Sequence, residues 1–216
     1  MDLKLLAWGL RPPGRPRPRV PLPGPAPARR PLPRLWLFTD AERLADPRAS
    51  VARLPIGRAG VVLRHDHDHA RAALARDLAR ICRARRLVLV VAGDVRLAAS
   101  LRAGVHLRGG RWPGPLRRPG VVTSSAHSIP DLRRAAASGA CLVFLSPVFP
   151  TASHAGAPGL GPLRWAAMAL APTAGIGTPP TPAAVAALGG VDGKTVKRLP
   201  SGRFHAVGAI GALQSG

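Results

Sequence analysis

From Arg34 onward the chain alternates short β-branched or leucine-rich runs with Ala/Leu/Arg segments of helical period. The apolar runs are LWLFTD (35–40), AGVVLR (59–64), RLVLVVA (86–92), GVHLR (104–108), VVTSSA (121–126), CLVFLSPV (141–148), VAALGG (185–190) and FHAVGAI (204–210). They predict eight strands. Helical spacing predicts helices over 42–53, 68–85, 94–103, 130–139 and 162–170, with a short one at 193–199, while 109–120 reads as a Gly/Pro/Arg connection. Strands that are apolar throughout, separated by amphipathic helices, are the mark of a parallel sheet covered on its outer face by helices. Eight such units predict an α/β fold of the (β/α)8 TIM-barrel type, with a doubly wound open sheet as the competing arrangement.

In such a barrel the chemistry collects where strands end and βα loops begin. The positions to examine are therefore Asp40, Arg64–Asp68, Ala92–Asp94, Arg108–Arg111, Ser124–Ser128, Ser146–His154, Gly189–Gly190 and Gly208–Gly211. Turn chemistry alone would also place Gly, Asp, Ser and Pro there. The run RHDHDH (64–69) carries good metal ligands in alternation. A helix beginning near Asp68, capped by Asp66 or Asp68, would make its three histidines diverge, so a dedicated metal site is disfavoured.

Residues 1–33 differ in texture. Pro and Arg dominate them, which restricts φ, removes N–H donors and offers few side chains for a core. They predict a disordered or polyproline-like leader ahead of a barrel domain at 34–216, or sequence translated from upstream of the true start. After the eighth strand only a few residues follow, so the last helix is expected to be absent or vestigial, leaving an apolar face that predicts a homodimer contact or marginal stability.

The formal charge is +22, from 32 Lys+Arg against 10 Asp+Glu. That balance ordinarily points to an anionic partner. Here the basic residues are almost all Arg, they are spread along the chain, and the aromatic interleaving that single-strand readers use is missing, so a nucleic-acid partner is not expected. Cys82 and Cys141 form no metal or redox spacing and read as buried thiols in a reducing compartment, which favours the cytoplasm. No run approaches the length of a membrane span.

Several strand ends, in order and spacing, resemble one family. LWLFTD, GVHL (104–107), SSAHS (124–128), CLVFLSPVFPTASH (141–154), APGLG (157–161) and ALGGV (187–191) are similar to segments of the thiamine phosphate synthase family, which includes the thiazole tautomerase (TenI-like) proteins. The resemblance covers about 34–213 and implies a (β/α)8 barrel. In the synthase, a pyrimidine methylene pyrophosphate loses pyrophosphate with the help of Mg²⁺ and cationic side chains, and a thiazole phosphate captures the cation. The tautomerase moves protons on a thiazole phosphate carboxylate and needs a phosphate site and an acid/base group.

The resemblance divides the site in two. Where the synthase has Gln-Leu-Arg-x-Lys to grip pyrophosphate, this chain has Val62-Leu63-Arg64-His65-Asp66, so of the polar residues of the grip Arg64 alone is kept. The family's Asn-Asp metal position is Ala92-Gly93 here, and the segment after GVHL is Arg108-Gly109-Gly110-Arg111, with no carboxylate. Mg²⁺ binds through oxygen ligands, so this half reads as dismantled unless Asp40, Asp66 or Asp94 rebuilds it. In the other half, the resemblance makes His127 the acid/base, with Ser125, Thr151, Ser153 and His154 at the substrate. It assigns Gly189, Gly190, Gly208 and Ala209 to the phosphate. His106 reads as equally suited to packing or function.

The expected function is a thiazole phosphate-binding barrel with tautomerase-like chemistry, needing Mg²⁺ only if synthase activity is retained. The alternatives are a synthase proper with a rebuilt metal site and a non-catalytic barrel that binds an intermediate or another anion.

Overall fold

The computed structural model describes residues 1–12, 31–65, 70–109, 112, 120–151, 156, 158–171 and 183–214. Eight parallel strands close into a barrel in sequence order. They are β1 (Leu35–Phe38), β2 (Ala59–Leu63), β3 (Val88–Ala92), β4 (Gly104–Leu107), β5 (Val122–Ala126), β6 (Leu142–Leu145), β7 (Ala184–Ala187) and β8 (Ala206–Ala209). Every expected strand is present, each trimmed where its end turns into a loop. Closure comes from β8 pairing with β1, with Leu35 opposite Val207 and Leu37 opposite Ala209.

The continuous apolar runs now have a geometric cause. Successive strand side chains point to opposite faces, so Trp36, Phe38, Val62, Val90, Phe144 and Ala186 fill the interior while Leu35, Leu37, Val61, Leu63, Val91 and Leu145 face the outer layer. Trp36 fits because its neighbour in the pairing is Gly60, where an added Cβ would lie 2.4 Å from the indole ring. The ring of Phe144 stands edge-on to Trp36 at 5.6 Å and to Phe38 at 4.7 Å. These three rings pack against one another in the barrel interior.

The outer layer contains α2 (Arg48–Ala52), α3 (Arg71–Ala84), α4 (Val95–Ser100), α5 (Ile129–Ala137) and α6 (Pro162–Ala169). Leu74, Ala75, Leu78, Ala79 and Cys82 form the buried stripe of α3. The expected helix at 42–53 is shorter. Asp40 accepts hydrogen bonds from the Glu42 and Arg43 amides, which makes a turn, and Pro47 lets the helix begin only at Arg48. The expected helix at 193–199 is a short 3-10 turn, Thr195–Arg198. Cys82 and Cys141 are free thiols, the first buried, and burial pushes the Cys82 thiol up to about 12.

The main difference from the expected layout lies at the beginning of the chain. Residues Leu3–Leu10 form a helix, α1, although the leader's composition predicted none. The reason is that its prolines begin only at Pro12, leaving LKLLAWGL free to turn, with Asp2 as the N-cap. Residues 13–30 lie outside the described residues.

Helix α1 runs along the outside of β8 and β1, opposite to the strands. Its start is held at the carboxyl end of the barrel, where the Gly193 amide donates to Asp2 at 2.7 Å and the Asp2 amide donates to Ala212 O at 2.7 Å. Its end lies beside the beginning of β1. There Trp8 stacks on Phe204 at 5.4 Å, and the Arg34 guanidinium sits 4.1 Å above the Trp8 ring. Leu5 is fully buried, and Gly9 is packed so closely that a Cβ would lie 2.2 Å from Leu35 Cγ. After β8 the described chain makes one 3-10 turn, Gly211–Leu213, as expected for a vestigial last element. Helix α1 packs on the face that composition left bare. Among the described residues, no helix is long and apolar enough to cross a membrane.

Candidate functional site

A cavity of about 760 Å³ opens at the carboxyl ends of the strands. Of the residues expected at a site, Arg64, Ser125, His127, Thr151, Gly189, Gly190, Gly208 and Ala209 line it together. Ser153, His154 and Asp66 lie outside the described residues. Asp40 and Asp94 do not line it.

His127 follows β5. Its backbone amide donates to Asp131 Oδ2 at 3.0 Å, which ties it to the first turn of α5, where Ser128 is the N-cap. Its Nδ1 lies 2.9 Å from the Ser146 carbonyl oxygen. A carbonyl can only accept, so Nδ1 is the donor in this contact, and whenever the ring is neutral its lone pair lies on Nε2. Such a fixed tautomer is what a general base requires. Ser146 follows β6, so the His127 ring is oriented by the strand next to its own.

His106 settles between the two readings the sequence left open. It lies inward on β4 at 2% exposure, between Phe38 and Phe144, and its Nδ1 and Nε2 each lie 2.9 Å from a hydroxyl, Thr123 Oγ1 and Ser125 Oγ respectively. Burial, with Arg64 and Arg108 adding repulsion, pushes its imidazole down to about 3. The ring is therefore neutral. Its Nε2 contact fixes the Ser125 hydroxyl, and both residues line the cavity. The signal was present in the alternation: His106, Thr123 and Ser125 share the inward face of two paired strands.

On the opposite wall, Gly189 and Gly190 follow β7 with φ of +92° and +64°. A Cβ at Gly189 would lie 2.8 Å from Pro147 Cα, and one at Gly190 would lie 2.6 Å from Pro150 O. Both the backbone conformation and the close approach exclude a side chain. The Val148 and Phe149 amides donate to Leu188 O and Gly189 O, so the loops after β6 and β7 form one unit. Thr195 Oγ1 closes the turn onto Gly190 O at 2.9 Å.

The wall is strongly cationic, with Arg43, Arg64, Arg108 and Arg198 lining it. Asp192 is the one carboxylate among the described lining residues, and the Lys194 and Thr195 amides occupy its Oδ1 at 2.7 Å. Of the candidates for a rebuilt metal site, Asp40 is bound by Arg43 at 2.9 Å and Asp94 caps α4 through the Leu97 amide at 2.8 Å. Among the described residues no three His, Cys, Asp or Glu side chains gather in a metal-binding group. A hard divalent cation needs oxygen ligands and negative charge, and the described residues do not fit one.

His65 has both ring nitrogens in contacts within the fold, and residues 66–69 of the same run lie outside the described residues. It is buried with Nδ1 2.9 Å from Thr39 Oγ1 and Nε2 3.3 Å from Ala45 O, and it latches the loop after β1 to the end of β2.

Four likenesses bear on this arrangement. A family model described as thiamine monophosphate synthase (TMP-TENI) matches residues 37–213. The bifunctional thiamine biosynthesis protein ThiED of Geobacter sulfurreducens is 32% identical over 127 residues, which is 55% of this chain and 26% of that protein. The chain thus spans about a quarter of that curated relative. Among solved structures, a thiamine phosphate pyrophosphorylase from Pyrococcus furiosus superposes with a TM-score of 0.64 at 21% identity, covering 83% of this chain and 86% of the other. One from Bacteroides thetaiotaomicron gives 0.50 at 17% identity, covering 84% of each. These two likenesses concern the fold. The family match spans nearly the whole barrel, and the chain belongs to the thiamine monophosphate synthase/TenI family.

Proposed function

We propose that the barrel binds a thiazole phosphate in the cavity at its carboxyl end and moves protons on it, with His127 as the acid/base group. The observation that carries this reading is the orientation of His127 by Ser146 O into the same cavity that Gly189, Gly190, Gly208 and Ala209 line. The phosphate would rest against these glycines, where the loops after the seventh and eighth strands of such barrels commonly hold one. Nε2 of His127 would accept a proton from the bound ring and return it to a neighbouring atom, a cycle that leaves the protein unchanged. Ser125, held by His106, and Thr151 would orient the ring by hydrogen bonds.

Incubation of the purified protein with thiazole phosphate carboxylate, with and without a pyrimidine pyrophosphate and Mg²⁺, tests the reading. Tautomer turnover is expected without Mg²⁺, and it should fall by about 100-fold or more in His127→Ala. Magnesium-dependent coupling of the two substrates would overturn it in favour of the synthase reaction. Ligand binding without turnover in either assay would leave a non-catalytic binding barrel.

A further inference from the structure

We infer that Asp2 is a positioning residue of the cavity: it ties the turn after β7 to the turn after β8, so that docking of α1 outside the barrel and ligand binding inside it favour one another. This deepens the reading above and rests on it for the placement of a phosphate at the glycines. Among the described residues, β7 and β8 are registered only at Ala186 with Ala206 and Ala187 with Val207, the shortest pairing in the barrel. Gly189 and Gly190 on one side, and Gly208 and Ala209 on the other, lie beyond that point. Their separation is therefore not set by pairing of the two strands that carry them.

Asp2 bridges the gap. Its Oδ2 accepts from the Gly193 amide at 2.7 Å, and its own amide donates to Ala212 O at 2.7 Å. Both anchors belong to the rim of the cavity. Asp192 and Thr195, on either side of Gly193, line it, and Thr195 Oγ1 returns to Gly190 O at 2.9 Å; Gly211 and Ala212 line it after β8. The other carboxylate oxygen, Oδ1, accepts from the Lys4 and Leu5 amides at 2.9 and 3.0 Å, so the group that grips the rim also starts α1.

Gly193 is fitted to this contact. A Cβ there would lie 2.4 Å from Asp2 Oδ1 and 2.5 Å from Lys4 Cβ, and the three nearest atoms it would meet all belong to these two residues. Gly193 is not among the glycines with positive φ, so its missing side chain makes room for α1 and serves no turn of its own. A contact that holds one arrangement of the rim strengthens any ligand that requires this arrangement, and the ligand strengthens the contact by the same factor.

Hydrogen exchange and titration calorimetry on the full chain test the coupling. Asp2→Ser keeps a capping oxygen for α1 but loses the second acceptor. Without ligand, its amides at 189–195 and 211–213 should exchange faster than those of the wild type, and thiazole phosphate should bind about fivefold or more weakly. Gly193→Ala, which displaces α1 by bulk, should reproduce the loss. In the wild type, thiazole phosphate should slow exchange at the Leu5 and Leu6 amides, and in Asp2→Ser this protection should vanish. Leu78→Val, a truncation in the buried stripe of α3, should lower the melting temperature and leave affinity intact, which separates positioning from a general loss of stability. Unchanged rim exchange or unchanged affinity in Asp2→Ser, unchanged affinity in Gly193→Ala, or an equal loss in Leu78→Val would overturn the inference. If rim exchange responds to Asp2→Ser but the wild type binds no thiazole phosphate, the preceding reading fails and the coupling of α1 to the rim stands.

Discussion

His106 and Ser125 are joined across two neighbouring strands, imidazole nitrogen to hydroxyl oxygen at 2.9 Å, under a ceiling of positive charge. Because burial holds this ring neutral down to about pH 3, the native state takes up fewer protons than the unfolded chain between that value and the ordinary histidine range near 6.5. Stability therefore rises with pH through this window, is complete above about 6.5, and is lost as pH falls toward 3. Urea midpoints measured from pH 7 to 4 should drop in the wild type by an amount equivalent to a few kcal/mol. The same series in His106→Gln should be flatter. Equal slopes would show that the histidine titrates normally.

Removing the imidazole should also loosen Ser125. His106→Leu leaves the buried Thr123 hydroxyl without its partner, at a cost of about 1–3 kcal/mol. Thermal melting reads that cost. An affinity measured for thiazole phosphate should weaken in the same variant even though the substituted side chain is apolar and remains in the barrel interior.

Gly190→Ala tests the opposite wall. The new Cβ would be forced against the Pro150 carbonyl oxygen at 2.6 Å, on a backbone with φ of +64°. Strain of about 1–3 kcal/mol is expected, together with a loss of phosphate-ligand affinity as the loops after β6 and β7 part. Retained affinity at normal stability would remove these glycines from the site.

Gly9→Ala has opposite local and tertiary effects. In an isolated helix the change would stabilise by about 1 kcal/mol, because glycine is the poorer helix former. Against the barrel it should destabilise by about 1–3 kcal/mol, because the methyl group would overlap the buried Leu35 side chain. Trp8 fluorescence and protease cleavage within the first residues would report undocking. A rise in melting temperature would mean that α1 contributes nothing to the fold.

The docking of α1 should also depend on acid. Burial raises the Asp2 carboxyl, but hydrogen bonds from the Gly193, Leu5 and Lys4 amides outweigh this and hold it below its ordinary 3.8. A lowered carboxyl contributes stability that is present above 3.8 and is lost as pH falls through the folded value. Trp8 fluorescence should shift on acidification below about pH 4 in the wild type. In Asp2→Asn the acid-dependent part of that shift should be absent.

The sequence by itself determined the eight parallel strands, and the family resemblance read from it implied their closure into a barrel. Eight apolar runs separated by amphipathic segments admit few arrangements other than parallel strands with both faces buried, and each run became a strand. It also determined which side chains meet at the mouth, because the ends of parallel strands in a closed barrel share one rim. Arg64, Ser125, His127, Gly189 and Gly208 are far apart in the chain and line one cavity for that reason.

Tertiary structure alone decided three matters. Alternation put His106 on the inward face, but only the register of β4 against β5 gave it Thr123 and Ser125 as partners and so made it a positioning residue. Asp40 and Asp94 are carboxylates at strand ends, as a metal ligand would be, yet each accepts a hydrogen bond from its own loop, a choice set by backbone geometry a few residues away. Last, the first ten residues carry a weak helical signal next to a Pro/Arg-rich stretch, and their value lies in a partner almost the whole chain away. The Asp2–Gly193 and Trp8–Phe204 contacts exist only once β8 closes on β1, because a short helix draws its stability from the surface it covers.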